Sequence, residues 1–387
     1  MKIEDLRREN ELVDLFCSLA EIPSPSMKEQ NVSNWIQEYC EKYNIPFRYD
    51  AYGNVYINIP ATDNTKESLL LSSHMDVIGD NSPVQLYLDG DLIGAEGRTL
   101  GGDNKAGVAN ILLFAKEIAD SDMEHGGLEA IFTRDEESGM TGIKHVDFSK
   151  LNSKYVLVCD SDNLGDLNVS GAGYTIAKLN IKTFKGGHSG IDIADPEREN
   201  AAKLIADLIA DLPQGVYESN KGIETITSCN IGGIRAGDLT VTNVINTFAE
   251  ATYSIRSSSG ESEERLKEQM LTQVEFFNEE YEGIALAELT FEEHLPKFEK
   301  NTDEFIPILF ETAAGKSGIE PKISSFHAGA ETHIYAGKQN AKGEVFIPYL
   351  MGLATVHNMH SSDETLDYTT LLKGHKLLKV FFDLYNA

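Results

Sequence analysis

Side chains able to bind a metal ion or carry a proton stand in five short stretches of this chain. They are His74-Met75-Asp76, Gly102-Asp103-Asn104, Asp135-Glu136-Glu137, Cys159-Asp160-Ser161 and His357-Asn358-Met359-His360. Read in order, the donors run His, Asp, Glu, Asp, His, a set of imidazole nitrogens and carboxylate oxygens that zinc and harder dications accept without thiolates. Two ions roughly 3.5 to 4 Å apart need one bridging carboxylate and outer oxygen or imidazole ligands, and the series supplies both. The three adjacent carboxylates of Asp135-Glu136-Glu137 repel one another, and a bound dication is a natural compensation. One glutamate would then coordinate metal while its neighbour takes the proton from a metal-bound water. His74 and Asp76, two residues apart at a strand end, project to one side, which suits a ligating imidazole fixed by a carboxylate. Each feature alone has a plainer reading: a hydrogen-bonded histidine near a turn, Asp103 capping a helix that begins near Asn104, His360 as a capping or solvated residue opening the final helix region. The ordered series carries the argument.

The elements that must position these groups are legible in outline. Apolar runs at Val55–Ile59, Ser68–Ser72, Glu129–Thr133 and Tyr155–Cys159 read as strands, and most of the candidate groups directly follow one of them. Residues 105–119 read as a helix, as do Leu6 to Leu19 and a segment through Trp35 and Tyr39, separated by Ile22-Pro23-Ser24-Pro25-Ser26. Strands alternating with helices predict an α/β fold: a central mixed sheet flanked by helices, with ligands beyond the carboxyl ends of the strands. After Gly171-Ala172-Gly173 the texture changes. Residues 174–291 read as an α+β insertion, with helices from Glu197 to Asp211 and from Glu261 to Glu279, between catalytic segments 1–173 and 292–387.

Composition narrows the class. At 387 residues the chain suits about two domains, on a prior of roughly 100 to 200 residues each. With 33 Lys and Arg against 62 Asp and Glu, the net charge of -29 disfavours nucleic acid and anionic membranes as partners. Four widely spaced cysteines form no C-x-x-C pair, so they read as buried thiols of a reducing compartment. A charged N-terminal stretch and no apolar run near the roughly 18 residues of a membrane span make a cytoplasmic location the expectation. H-E-x-x-H, G-x-S-x-G and P-loop signatures are absent, which excludes single-zinc proteases of that kind, serine hydrolysis and nucleotide binding on those motifs.

Ser73-His74-Met75-Asp76-Val77, Gly97-Arg98-Thr99-Leu100-Gly101-Gly102-Asp103-Asn104-Lys105-Ala106-Gly107, Asp135-Glu136-Glu137-Ser138-Gly139 and His357-Asn358-Met359-His360-Ser361-Ser362-Asp363-Glu364 together resemble the co-catalytic zinc exopeptidases of the peptidase T, glutamate carboxypeptidase and aminoacyl-histidine dipeptidase group. The resemblance runs in order over nearly the whole chain. It implies an α/β catalytic domain interrupted by an α+β lid, used for dimerisation in some members. It also implies two zinc ions, with cobalt or manganese fitting the same donors. His74, Asp103 and Asp160 would hold one ion and Asp103, Glu137 and His360 the other, with Glu136 as general base and Asp76 orienting His74. Asp162 and His357 compete locally with Asp160 and His360; Asp160 directly ends its strand, and Glu364 follows His360 at the family's spacing. In the lid, Lys185-Gly186-Gly187-His188 resembles the turn whose histidine reaches the substrate carbonyl, from the other subunit in dimeric members. Asn243 and Arg256 match substrate-binding positions, and a guanidinium suits a peptide C-terminus.

Two departures leave substrate length open: Val77 where relatives of peptidase T usually have Thr, and His327-Ala328-Gly329-Ala330-Glu331, which is more similar to the dipeptidase branch. Glu331 is expected at the substrate's free amine or beside the metal environment. The resulting expectation is a metal-dependent exopeptidase acting on short peptides, foremost an aminopeptidase releasing the N-terminal residue of tripeptides. The rival readings are an acylase or carboxypeptidase of the same fold, and a non-catalytic binding protein that retained it.

Overall fold

The computed structural model describes residues 2–220 and 225–387; Met1 and residues 221–224, within the stretches assigned above to the catalytic segment and the insertion, lie outside it. The Cα packing forms two compact units, one of residues 2–169, 300–324 and 330–387 and one of residues 170–299 and 325–329.

The first unit is built on an eight-stranded mixed sheet, in the order Phe47–Tyr49, Val55–Ile59, Leu128–Thr133, Leu69–His74, Tyr155–Val158, Ile347–Met351, Asp166–Gly171, Lys322–Phe326. Its middle is parallel: Leu69–His74 pairs in parallel with Leu128–Thr133 and Tyr155–Val158, and the latter with Ile347–Met351. Every residue of those four strands is buried, which is why they read as near-continuous apolar runs rather than alternating ones. Their carboxyl ends therefore bring His74, the Glu136-Glu137 turn and Asp160 to one edge, although these residues are far apart in sequence.

The helix Gly102–Ala119 starts at the same edge, entered through Gly101 in the left-handed conformation (φ 78°). A Cβ on Gly101 would also meet Val77 Cγ1 at 2.8 Å. Farther along, a Cβ on Gly107 would lie 2.3 Å from the Cys159 carbonyl oxygen, so only glycine lets this helix approach the Cys159-Asp160 segment that follows the strand Tyr155–Val158. A four-stranded antiparallel sheet, Thr355–His357, Thr365–Asp367, Leu92–Ala95 and Leu86–Asp89 in that order, carries His360 in the loop joining its first two strands. His360 thus does not open the final helix. That helix is Tyr368–Tyr385, started by Asp367, whose carboxylate accepts the Thr369 and Thr370 amides.

The second unit is a five-stranded antiparallel sheet in the order Gly215–Asn220, Thr225–Ala236, Phe248–Ser257, Gly173–Thr183, Ala285–Leu295. Inward residues such as Leu179, Ile181, Tyr253 and Ile255 pack with Leu204, Leu208, Leu266 and Met270 of helices Ala201–Asp211 and Gly260–Glu280. The first of these helices begins four residues later than its sequence suggests. Asp195 holds Glu197 and Arg198 in a turn, and Asn200 accepts the Ala202 amide as the cap. Among the described residues no helix is long and apolar enough to cross a membrane.

Candidate metal centre

His74 ends its strand with the ring nearly sealed from solvent. Its Nδ1 lies 2.9 Å from the Asp76 carbonyl oxygen, which can only accept, so Nδ1 carries a hydrogen. Nε2 then faces two carboxylate oxygens, Asp103 Oδ1 at 3.1 Å and Asp160 Oδ1 at 3.3 Å. A neutral imidazole would point its lone pair at two anions there; a positive charge between them, a second proton or a metal ion, resolves the conflict. The other oxygen of Asp103 lies 3.1 Å from His360 Nε2, which is also 3.1 Å from Glu137 Oε1. Asp103 therefore stands between the two histidines with one oxygen toward each, the arrangement of a bridging carboxylate. Donor atoms of His74, Asp103 and Glu137 all fall within 4.8 Å of one another. Glu137 Oε1 is buried and receives no properly directed hydrogen bond. These residues fit divalent cations bound by nitrogen and oxygen.

The electrostatics agree. Burial pushes the Asp160 carboxyl up to about 7 and Glu137 to about 6, both opposed by His74. Burial also raises Glu136 well above the usual carboxylate range. For His74, burial alone would lower the pKa, but Asp160, Asp103 and Asp76 outweigh it and raise it strongly. The Asp103 hydrogen bond raises His360 to about 9. This is a buried excess of carboxylates for which a dication is the natural counter-charge.

Asp76 organises the neighbouring loop. Its oxygens accept the backbone N–H groups of Glu136 at 3.0 Å and Glu137 at 3.1 Å, and the Ser26 hydroxyl at 2.7 Å. Asp135 does not join its two neighbours in the site. In a left-handed conformation (φ 52°), it turns into the protein and accepts a 2.6 Å bond from the Tyr52 hydroxyl. The like-charge crowding expected for three carboxylates is thus relieved for one of them by geometry. Glu364, fully buried, accepts the amides of Gly101 and Asp103 at 3.2 Å each and holds the turn bearing Asp103.

The sequence profile of peptidase family M20/M25/M40 matches residues 70–383, from the strand that ends in His74 to the last helix. The chain belongs to this family. The cytosol non-specific dipeptidase of Escherichia coli (strain K12) is 29% identical to this M20-family chain over 229 residues, 51% of the chain and 46% of the dipeptidase, so the match spans about half of that relative. Peptidase T of Parabacteroides distasonis is 27% identical over 297 residues, 72% of this chain and 68% of the relative. The crystal structure of aminopeptidase PepT from Bacillus cereus ATCC 10987 has the same fold, with a TM-score of 0.84 at 22% identity over 97% of this chain and 98% of that one.

The remaining candidate residues of this M20-family chain are distributed differently. Glu331 belongs to the first unit but is only 1% exposed. Its Oε2 accepts from Ser72 at 3.1 Å, and burial pushes its pKa up to about 7. Sealed in this way, it reaches the strand tips rather than open solvent. His188, Asn243 and Arg256 lie in the second unit. His188 is exposed on the short strand Gly187–His188, paired with Val244–Ile245, and the Asn243 carbonyl accepts the Ser189 amide at 3.0 Å. Its Nδ1 accepts from Gly190 N at 3.1 Å, which leaves the hydrogen on Nε2, free to donate. Arg256 is half-buried with its guanidinium 4.6 Å above the Tyr174 ring. His357 is exposed on a strand opposite Thr365, three residues before the His360 that meets Asp103. Ser26, Glu29, Arg134 and the amide-holding role of Glu364 escaped sequence reasoning, because serine, glutamate or arginine in a loop carries no local sign of a partner scores of residues away.

Proposed function

We propose that this chain is a metal-dependent exopeptidase that releases the N-terminal residue of short peptides, tripeptides foremost. The observation that carries the reading is Asp103, with one oxygen toward His74 and the other toward His360, together with a half-buried Glu136 whose carboxyl feels His74 and Asp160. His74, Asp103 and Asp160 would hold one dication and Asp103, Glu137 and His360 the second, zinc by resemblance, with cobalt or manganese suited to the same donors. When bound, such ions supply Lewis acidity toward water and the scissile carbonyl.

The chain's own residues supply the proton handling. Glu136 takes the proton of the attacking water and returns it to the leaving amine, and a carboxyl raised by burial retains a proton long enough to deliver it. Asp76 keeps the Glu136 backbone and the His74 ring in register. His188, with its hydrogen on Nε2, would donate to the developing oxyanion, and Arg256 would take the peptide carboxylate. The second unit would serve as lid and as the surface of a homodimer. Similarity to peptidase T supports the tripeptide preference, and the sealed position of Glu331 favours its supporting role at the metal environment over contact with the substrate amine.

The test is hydrolysis of matched free di- and tripeptides and their N-acetylated forms by chelated protein, with and without restored zinc. Zinc-dependent release of the N-terminal residue from free tripeptides is the expected result. Turnover of blocked substrates alone would replace this reading with that of an acylase.

A further inference from the structure

The segment Ile22 to Glu29, between helices Glu11–Ala20 and Gln30–Lys42, runs along the tips of the strands that carry His74 and Glu136. Ser24 Oγ donates to the Met75 carbonyl at 2.9 Å, and the Val77 amide donates to the Ser24 carbonyl at 2.9 Å. Ser26 donates to Asp76, and Lys105 Nζ anchors the start of the segment through the Ile22 carbonyl at 2.5 Å. At its far end Glu29 is 0% exposed. Its Oε1 accepts the amides of Met27 at 2.8 Å and Asp135 at 3.2 Å. Its Oε2 accepts Arg134 Nε at 2.8 Å and lies 2.7 Å from Arg134 Nη2.

The Glu29 bonds to Arg134 and to the Asp135 amide meet in one turn. Arg134 also donates Nη1–H to the Tyr52 carbonyl at 2.9 Å and its amide to Asn54 Oδ1 at 3.0 Å. The next residue, Asp135, is a non-glycine with φ 52°, a conformation that persists only where its surroundings over-determine it. The residue after that is Glu136. A fully buried carboxylate paired with arginine is a poor way to gain stability, since similar-sized apolar residues usually do as well or better; its better-attested use is to fix a conformation.

We infer that Glu29 is a positioning residue: through Arg134 and the Asp135 amide it fixes the left-handed turn that aims the Glu136 carboxyl. The inference rests on the reading of Glu136 as the proton carrier. It assigns a part in the reaction to a side chain that lies 106 residues before Asp135 and contacts none of the reacting groups.

The experiment uses the zinc-loaded full chain and trialanine, comparing wild type, Glu29→Gln and the double variant Glu29→Met/Arg134→Met. Metal content, the Co(II) absorption spectrum and thermal stability are recorded alongside kcat and KM. Glu29→Gln is expected to lower kcat by about 10- to 100-fold, the scale of a small misplacement of a catalytic group, with KM, metal content and cobalt spectrum unchanged. The double variant, which leaves no unpaired buried charge but strands the Met27 and Asp135 amides, is expected to fold with some loss of stability and not to regain kcat. Wild-type kcat in Glu29→Gln, or in the double variant should the single one fail to fold, would overturn the positioning role while leaving the peptidase reading intact. An inactive wild type with every metal would overturn both.

Discussion

Replacing Asp76 with asparagine keeps the side chain's size and removes its charge. The carboxylate accepts three hydrogen bonds, from Glu136 N, Glu137 N and Ser26 Oγ. An amide offers one acceptor oxygen, and whichever way it turns, its NH2 group faces a backbone N–H. The better orientation keeps Ser26 and Glu137 on the oxygen and strands the Glu136 amide. One buried donor left unpaired costs ~1–3 kcal/mol, and the retained bonds lose their charge assistance, for a total of ~3 kcal/mol. At 1.36 kcal/mol per factor of ten, ~3 kcal/mol felt at the Glu136 carboxyl is about a hundredfold in kcat. Steady-state hydrolysis of a free tripeptide by zinc-restored Asp76→Asn measures that loss, and urea unfolding measures how much falls on stability instead. Wild-type kcat together with wild-type stability would refute the role given to these three bonds.

Three further outcomes follow from the same geometry. Glu136→Gln should lower kcat by ~10²–10⁴, the usual worth of a general acid–base, while metal content measured by plasma mass spectrometry stays at the wild-type level. Gly107→Ala should destabilise the first unit by ~1–3 kcal/mol in urea unfolding, because its Cβ would meet the Cys159 carbonyl oxygen at 2.3 Å. In the second unit, burial would raise the Glu263 carboxyl, but Lys267, Thr175 and Lys297 outweigh it and hold its pKa below the ordinary 4.5. A depressed folded pKa gives stability that is present above 4.5 and is lost as pH falls through the lower folded value. Glu263→Gln should therefore flatten the acid limb of the stability profile below that pH, measured by urea midpoints across the range.

Much of the site is legible in the sequence because the sheet is parallel at its centre. Parallel strands buried on both faces show as apolar runs, and their carboxyl ends collect residues that lie far apart in the chain. The conformation of Asp135 has no such signature: a single left-handed aspartate is set by Glu29, Tyr52 and Asn54, none of them its neighbour in sequence. The hairpin that presents His360 escaped because Thr355–His357 and Thr365–Asp367 are three residues each, too short to show a period. The helix beginning at Ala201 starts later than its charged lead-in suggests for a local reason, since Asn200 is the cap and the charged residues before it belong to a turn.

Asp103 is proposed to bridge two cations. Anomalous diffraction at the zinc absorption edge, from crystals of the full chain grown with zinc, tests it without reference to any substrate. The expected map has two peaks flanking Asp103, one beside His74 and Asp160 and one beside Glu137 and His360. A single peak, or peaks that leave Asp103 outside their coordination, would contradict it.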